Sequence, residues 1–244
     1  MKRAIQIHPD MIFDGTIPAS AADMVLAELE VAENTLSEFQ KARMGKITAS
    51  NFGLVKKLKT TGQWGDTALS YLYDLIGEHL TGEPADKFTG NKATDWGEMY
   101  EAEAIKAYTK RTGRKVKPGK FFQASMPWVG GTPDGFVGEH GLIEVKCPLT
   151  FKNHLRTVIN RTVPDEYMPQ VLGQLWLTGR EWCDFVSYDP RIRKGPHGLV
   201  IVRIMRKEHQ TGIENLDALI TEFNGLMMDK LEKLKVEPGE NFNF

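Results

Sequence analysis

The residues best placed to do chemistry are two carboxylates and an ammonium: Asp134, Glu144 and Lys146. Asp134 stands between Pro133 and Gly135, a setting that favours an irregular bend where a strand meets a turn. The run Gly138-Glu139-His140-Gly141 reverses the chain, and residues 142–147 read as a returning strand. Side chains alternate along a strand, so Glu144 and Lys146 share one face while Ile143 and Val145 take the other. A turn centred on Glu139 sets Asp134 opposite Glu144. The three groups then converge on one patch with apolar side chains behind it.

Carboxylate oxygens are the hard ligands that Mg²⁺ prefers, usually one or two of them beside water and substrate phosphate. A Lys next to the metal can orient the attacking water, help deprotonate it and offset developing negative charge. The plainer reading is a surface hairpin with neighbouring Glu and Lys. Pro-Asp-Gly at hairpin spacing and the Cys147-Pro148 stop after the Lys favour the metal site.

The rest of the chain must position this hairpin. With 244 residues it can hold one large domain with a substantial core. Its 41% hydrophobic and 26% charged residues suit a soluble globular protein. The net charge of −1 gives no global positive field, so any nucleic-acid groove must be basic locally. Two cysteines, Cys147 and Cys183, cannot build a four-cysteine zinc or iron–sulfur site and read as reduced, buried thiols. His8, Pro9 and Asp10 interrupt any signal-like apolar run, and no stretch approaches a membrane span. The expectation is a cytoplasmic protein.

Residues 1–20 read as an extended lead-in, 21–236 as one domain and 237–244 as a tail. Helices are predicted at 21–34 with Ser20 as N-cap, and at 48–57, 66–80, 95–110, 169–178 and 213–234. Strands are predicted at 116–117, 121–124, 128–130, 142–147, 182–188 and 199–206. Strands flanked by helices make an α/β domain with a central mixed sheet.

Pro133-Asp134 with Glu144-Val145-Lys146 resembles the PD-(D/E)xK nuclease motif. Within that superfamily the chain is most similar to the lambda-type phage exonucleases, the YqaJ-type viral recombinases. The blocks Arg43-Met44-Gly45-Lys46-Ile47-Thr48-Ala49-Ser50, Trp96-Gly97-Glu98-Met99-Tyr100-Glu101, Tyr167-Met168-Pro169-Gln170-Val171 and Tyr188-Asp189-Pro190-Arg191 follow in the family's order. The set spans residues 39–206, and the ordered blocks are far more specific than the loose central motif.

The resemblance implies a restriction-endonuclease-like fold and 5′→3′ digestion of linear double-stranded DNA. It implies that Asp134, Glu144 and the Val145 carbonyl bind Mg²⁺ or Mn²⁺, with two ions per site. Glu101 then serves as a metal ligand through water or as an outer anchor; on its residues alone it reads as a helix-surface Glu. Gln170 matches the family's glutamine, while Gln174 lies one turn further along the same face. Tyr167 covers the site or fills core. Arg43 and Ser50 are implied to hold the 5′-phosphate, with Lys59 at a basic position beside them; alone, they read as a surface charge and a helix cap. The family's ring-shaped homotrimer, single-strand annealing partner and phage or prophage origin complete the picture. One departure is that residues 122–126 carry no carboxylate where family members can have one. The rivals are an endonuclease of the same fold and a DNA-end-binding scaffold without catalysis.

Overall fold

Near Gly113 the helical periodicity of the sequence gives way to short alternating runs, and there the helices give way to strands. The computed structural model describes residues 38–85 and 92–239. Its elements run α1 (Glu38–Arg43), β1 (Ile47–Thr48), a 3₁₀ helix (Ala49–Leu54), α2 (Asp66–Thr81), α3 (Lys92–Thr112), β2 (Val116–Pro118), β3 (Phe122–Gln123) and β4 (Val129–Gly131). There follow β5 (Gly135–Val137), β6 (Gly141–Lys146), α4 (Phe151–Asn160), α5 (Met168–Thr178), β7 (Trp182–Tyr188), β8 (Leu199–Met205) and α6 (Gln210–Lys233). The chain divides into two units, Met1–Lys41 and Ala42–Phe244, and the site lies within the second. The helix expected at 21–34 and the phenylalanine tail lie outside the described residues.

Five strands form a mixed sheet in the order β2-β5-β6-β7-β8, antiparallel except for the parallel β6–β7 pair. A parallel pair needs a long crossover, and α4 and α5 supply it. A second sheet, β1-β4-β3, carries the chain from the Arg43 region towards Asp134. Ala104 and Tyr108 of α3 cover one face of the larger sheet against Ile143, Val145 and Val186. Val171 and Leu175 of α5 cover the opposite face against Leu142, Cys183 and Phe185. Tyr108 Oη donates to Asp184 Oδ2 at 2.7 Å, and Arg203 grips both oxygens of that buried Asp at 2.7 and 2.8 Å, fixing α3 to β7 and β8.

A third cluster joins Ala49 and Phe52 of the 3₁₀ helix to α2, α6 and Val129. In α2 the buried positions 68, 71, 72, 75, 76 and 79 form one stripe, ended by Gly82 in the left-handed region at φ 68°. Gly173 of α5 faces Phe52 so closely that a Cβ there would lie 2.4 Å from the ring. The bare glycine lets the 3₁₀ helix rest directly on α5.

Two elements depart from the sequence reading. The helix expected at 48–57 is a two-residue strand and a short 3₁₀ helix. Thr48 pairs with Gly130, and Ser50, Asn51 and Gly53 are weak α-helix formers, whereas buried Ala49 and Phe52 stand three apart, as a 3₁₀ turn requires. Helix α4 was not expected at all. Phe151, Leu155, Val158 and Ile159 do recur in it at helical spacing, but the buried residues are the polar His154 and Thr157, while Phe151 and Ile159 stay exposed. Cys147 and Cys183 are both buried and unbridged. No helix among the described residues is long and apolar enough to cross a membrane.

Candidate active site

The hairpin pairs Gly135 with Ile143, Phe136 with Leu142 and Val137 with Gly141. Its turn is therefore centred on Glu139, and Gly138 takes the left-handed conformation at φ 59°. Continuing the register one step places Asp134 across from Glu144, as the spacing predicts. Because β5 begins only at Gly135, the edge of β6 beyond Ile143 has no strand partner on that side. Asp134 takes the vacant position: the Val145 N–H donates to its Oδ2 at 2.6 Å. A strand residue turns its N–H and C=O to the same side, so the Val145 carbonyl faces the same opening.

Glu144 is fully buried and held at both oxygens. Lys146 Nζ donates to Oε1 at 2.6 Å, and Gln174 Nε2 donates to Oε2 at 2.6 Å. Lys146 also lies 5.4 Å from the centre of the Tyr167 ring, and that ring stacks on Phe185 at 5.6 Å. Tyr167 thus fills core with one face and bounds the site with the other. A cavity of about 420 Å³ opens here, lined by Glu101, Asp134, Val145, Lys146 and Tyr167 and rimmed by Glu98, Thr150 and Asn153. Thr150 and Asn153, at the start of α4, belong to no motif and carry no signal in the sequence.

Electrostatics tie these groups together. Burial raises the Asp134 carboxyl well above its ordinary range, and the charge of Glu144 adds to this against the pull of Lys146 and the Val145 N–H. Burial, then Glu144, likewise raises Glu101, with Lys146 opposing. Burial lowers the Lys146 ammonium, but Glu144 and Asp134 outweigh it and hold the group above its ordinary value. The Cys147 thiol is pushed up to about 12, by burial first and Glu101 next.

Three carboxylates facing one ammonium leave local negative charge uncompensated. Asp134 and Val145 line the cavity and bring a carboxylate and a backbone carbonyl as hard donors, with the buried Glu144 carboxylate behind them and Glu101 facing them from α3. No group of three His, Cys, Asp or Glu side chains that could hold a metal occurs among the described residues. A cation here would need the backbone carbonyl and water to complete its shell, which is the habit of Mg²⁺.

Arg43 and Ser50 come together. Arg43 Nη2 donates to Ser50 Oγ at 2.5 Å and to Thr48 Oγ1 at 3.1 Å. Burial lowers the guanidinium, while Tyr71 and Glu144 act in the opposite sense, which places Arg43 within electrostatic reach of Glu144. Ser50 itself is exposed. The six-residue 3₁₀ helix removes the helix-dipole part of the expected anion site, leaving the guanidinium and two hydroxyls. Lys59 is exposed in a turn, and Lys57 is engaged with Glu222 and the Trp64 ring. Gln170 is half-buried at the start of α5; the amide that reaches Glu144 belongs to Gln174.

Mixed sheets flanked by helices, with Asp134 at the bend just before β5 and Glu144 and Lys146 on the adjoining β6, define a restriction-endonuclease-like fold carrying the PD-(D/E)xK residues. A family model described as the YqaJ-like viral recombinase domain matches residues 38–181. The chain belongs to this family. It is similar to the alkaline exonuclease LHK-Exo of Laribacter hongkongensis, with 33% identity and a TM-score of 0.72 over 81% of this chain and 95% of that one. A structure of LHK-Exo in complex with dAMP matches with 32% identity and a TM-score of 0.67, over 81% of this chain and 97% of that one. A phage-related exonuclease from Haemophilus somnus 129PT shares the fold at 19% identity and a TM-score of 0.55, over 76% of this chain and 96% of that one. No curated protein matches the chain.

Proposed function

We propose that this protein is a Mg²⁺-dependent exonuclease that degrades one strand of linear double-stranded DNA from the 5′ end. It leaves 3′ single-stranded overhangs for annealing-type recombination. The observation that carries this reading is the convergence of Asp134, Val145, Lys146 and Glu101 on one open cavity, with Glu144 fixed behind it. Membership of a viral recombinase family and similarity to an alkaline exonuclease support it.

Asp134, Glu144 and the Val145 carbonyl would hold the cation, and Glu101 would serve a second ion through water. When bound, Mg²⁺ or Mn²⁺ would supply charge stabilisation at the phosphate and a more acidic water. Lys146 directs its ammonium at the attacking water and the developing negative charge. Glu144 fixes Lys146, and Tyr167 closes the ammonium in from the opposite side. Water oxygen bonds to phosphorus as the bond to the 3′ oxygen of the terminal nucleotide breaks. The released product is a deoxynucleoside monophosphate, the class to which the dAMP bound by the relative belongs. The shortened strand again begins with a 5′-phosphate.

That regenerated phosphate is what Arg43 and Ser50 would hold. The guanidinium offers a planar fork and Ser50 an exposed hydroxyl. A grip on the terminal phosphate sets polarity and register. Substituting Arg43→Ala is expected to reduce the preference for 5′-phosphorylated over 5′-hydroxyl ends by about tenfold or more, since hydrogen bonds to charged groups contribute roughly 1.5–3 kcal/mol. An unchanged ratio would remove Arg43 from this role. The annealing partner and the ring-shaped homotrimer belong to the same proposal.

A further inference from the structure

We infer that Gln174 is a positioning residue for the proposed reaction, setting the plane of the Glu144 carboxylate and through it the cation site. This inference rests on the reading of Asp134, Glu144 and Lys146 as the hydrolytic centre. Gln174 is 1% exposed and lies in the stripe of α5 that faces the sheet, with Val171 and Leu175. Its Nε2 donates to Glu144 Oε2 at 2.6 Å and approaches the Thr132 carbonyl at 3.5 Å. Thr132 lies two residues before Asp134, so one amide reaches both arms that carry the carboxylates.

The orientation of the amide is dictated by chemistry, because an ionised carboxylate accepts hydrogen bonds and offers none. Turning Nε2 to Glu144 leaves Gln174 Oε1 buried without a hydrogen-bond partner among the described residues. A buried acceptor without a partner costs stability, and an apolar side chain of similar size would avoid that cost. The compensating contact is the one to Glu144. Lys146 occupies the other oxygen of Glu144, so the two donors together prevent the carboxylate from rotating. A neutral amide does this without competing with a cation for charge.

The test uses Gln174→Met, which keeps the volume and removes the donor, and Gln174→Asn, which keeps the amide but shortens its reach. Cation affinity is measured by calorimetry with Ca²⁺, and turnover of linear duplex DNA is followed against Mg²⁺ concentration. Both variants are expected to bind Ca²⁺ about tenfold or more weakly and to need correspondingly more Mg²⁺, the usual scale for partners that orient metal ligands. KM for DNA at saturating Mg²⁺ should stay within about twofold. Unchanged Ca²⁺ affinity and Mg²⁺ requirement in either folded variant would overturn the inference. Asp134→Asn and Lys146→Ala serve as references. If they too retain full activity, the hydrolytic centre itself is misassigned; if they are inactive while the Gln174 variants behave as wild type, only this inference fails.

Discussion

At the residue scale, the buried Glu144–Lys146 pair bears on stability and, in the proposed reaction, on chemistry. Removing one partner of a buried ion pair strands the other charge, at a cost of about 3–5 kcal/mol. Lys146 is partly exposed on its cavity side, so Lys146→Ala should fall at the low end of that range in a thermal or denaturant melt. Turnover should drop by about 10²–10³, the scale for losing one charge-stabilising donor. Asp134 gives a prediction of the opposite sign. Its carboxyl is raised in the folded protein, so the native state binds the proton more tightly than the unfolded chain does. Stability without metal is then full below the ordinary carboxylate range and falls as pH rises towards the raised value. In EDTA, Asp134→Asn should raise the melting temperature at pH 8 and have little effect at pH 3. Equal shifts at the two pH values would contradict this assignment.

At the element scale, the site depends on how three short segments meet. The hairpin was legible because strand periodicity and a centred turn fix which side chains face each other; the Asp134–Glu144 pairing is arithmetic. The choice between Gln170 and Gln174 was not legible. Both share a face of α5, but they stand ~6 Å apart along its axis, and only packing against the sheet decides which lies above Glu144. The 3₁₀ helix escaped because its two buried residues, Ala49 and Phe52, are too few to mark a period; α4 does carry a stripe in Phe151, Leu155, Val158 and Ile159, but it turns the polar His154 and Thr157 inward. Gly173 joins the segment of Arg43 and Ser50, the proposed phosphate pocket, to α5 by letting Phe52 rest on that helix. Gly173→Ala must displace Phe52 and should destabilise by about 1–3 kcal/mol, as overpacking does. Because Ser50 rides on the same 3₁₀ helix, the preference for 5′-phosphorylated ends should also weaken. A stability loss with that preference intact would show that the two sites are not mechanically joined.

At the scale of the whole molecule, the proposed function assigns chemistry and polarity to different parts of the chain. Asp134 lies at the bend entering β5, and Glu144 and Lys146 lie on β6, whereas Arg43 and Ser50 belong to the segment entering the smaller sheet. The overall α/β architecture was legible from the order of helical and alternating segments, and the net charge of −1 neither helped nor hindered. If the proposed ring is the working form, light scattering should give the mass of three chains; a monomer at assay concentration would remove the ring as the source of processivity. The central claim is tested most directly by digesting linear duplex DNA labelled at either the 5′ or the 3′ end, in Mg²⁺ or in EDTA, beside a closed circle. The account predicts early release of the 5′ label as mononucleotide, late release of the 3′ label, no release in EDTA and an intact circle. Early release of the 3′ label, or cutting of the circle, would contradict it.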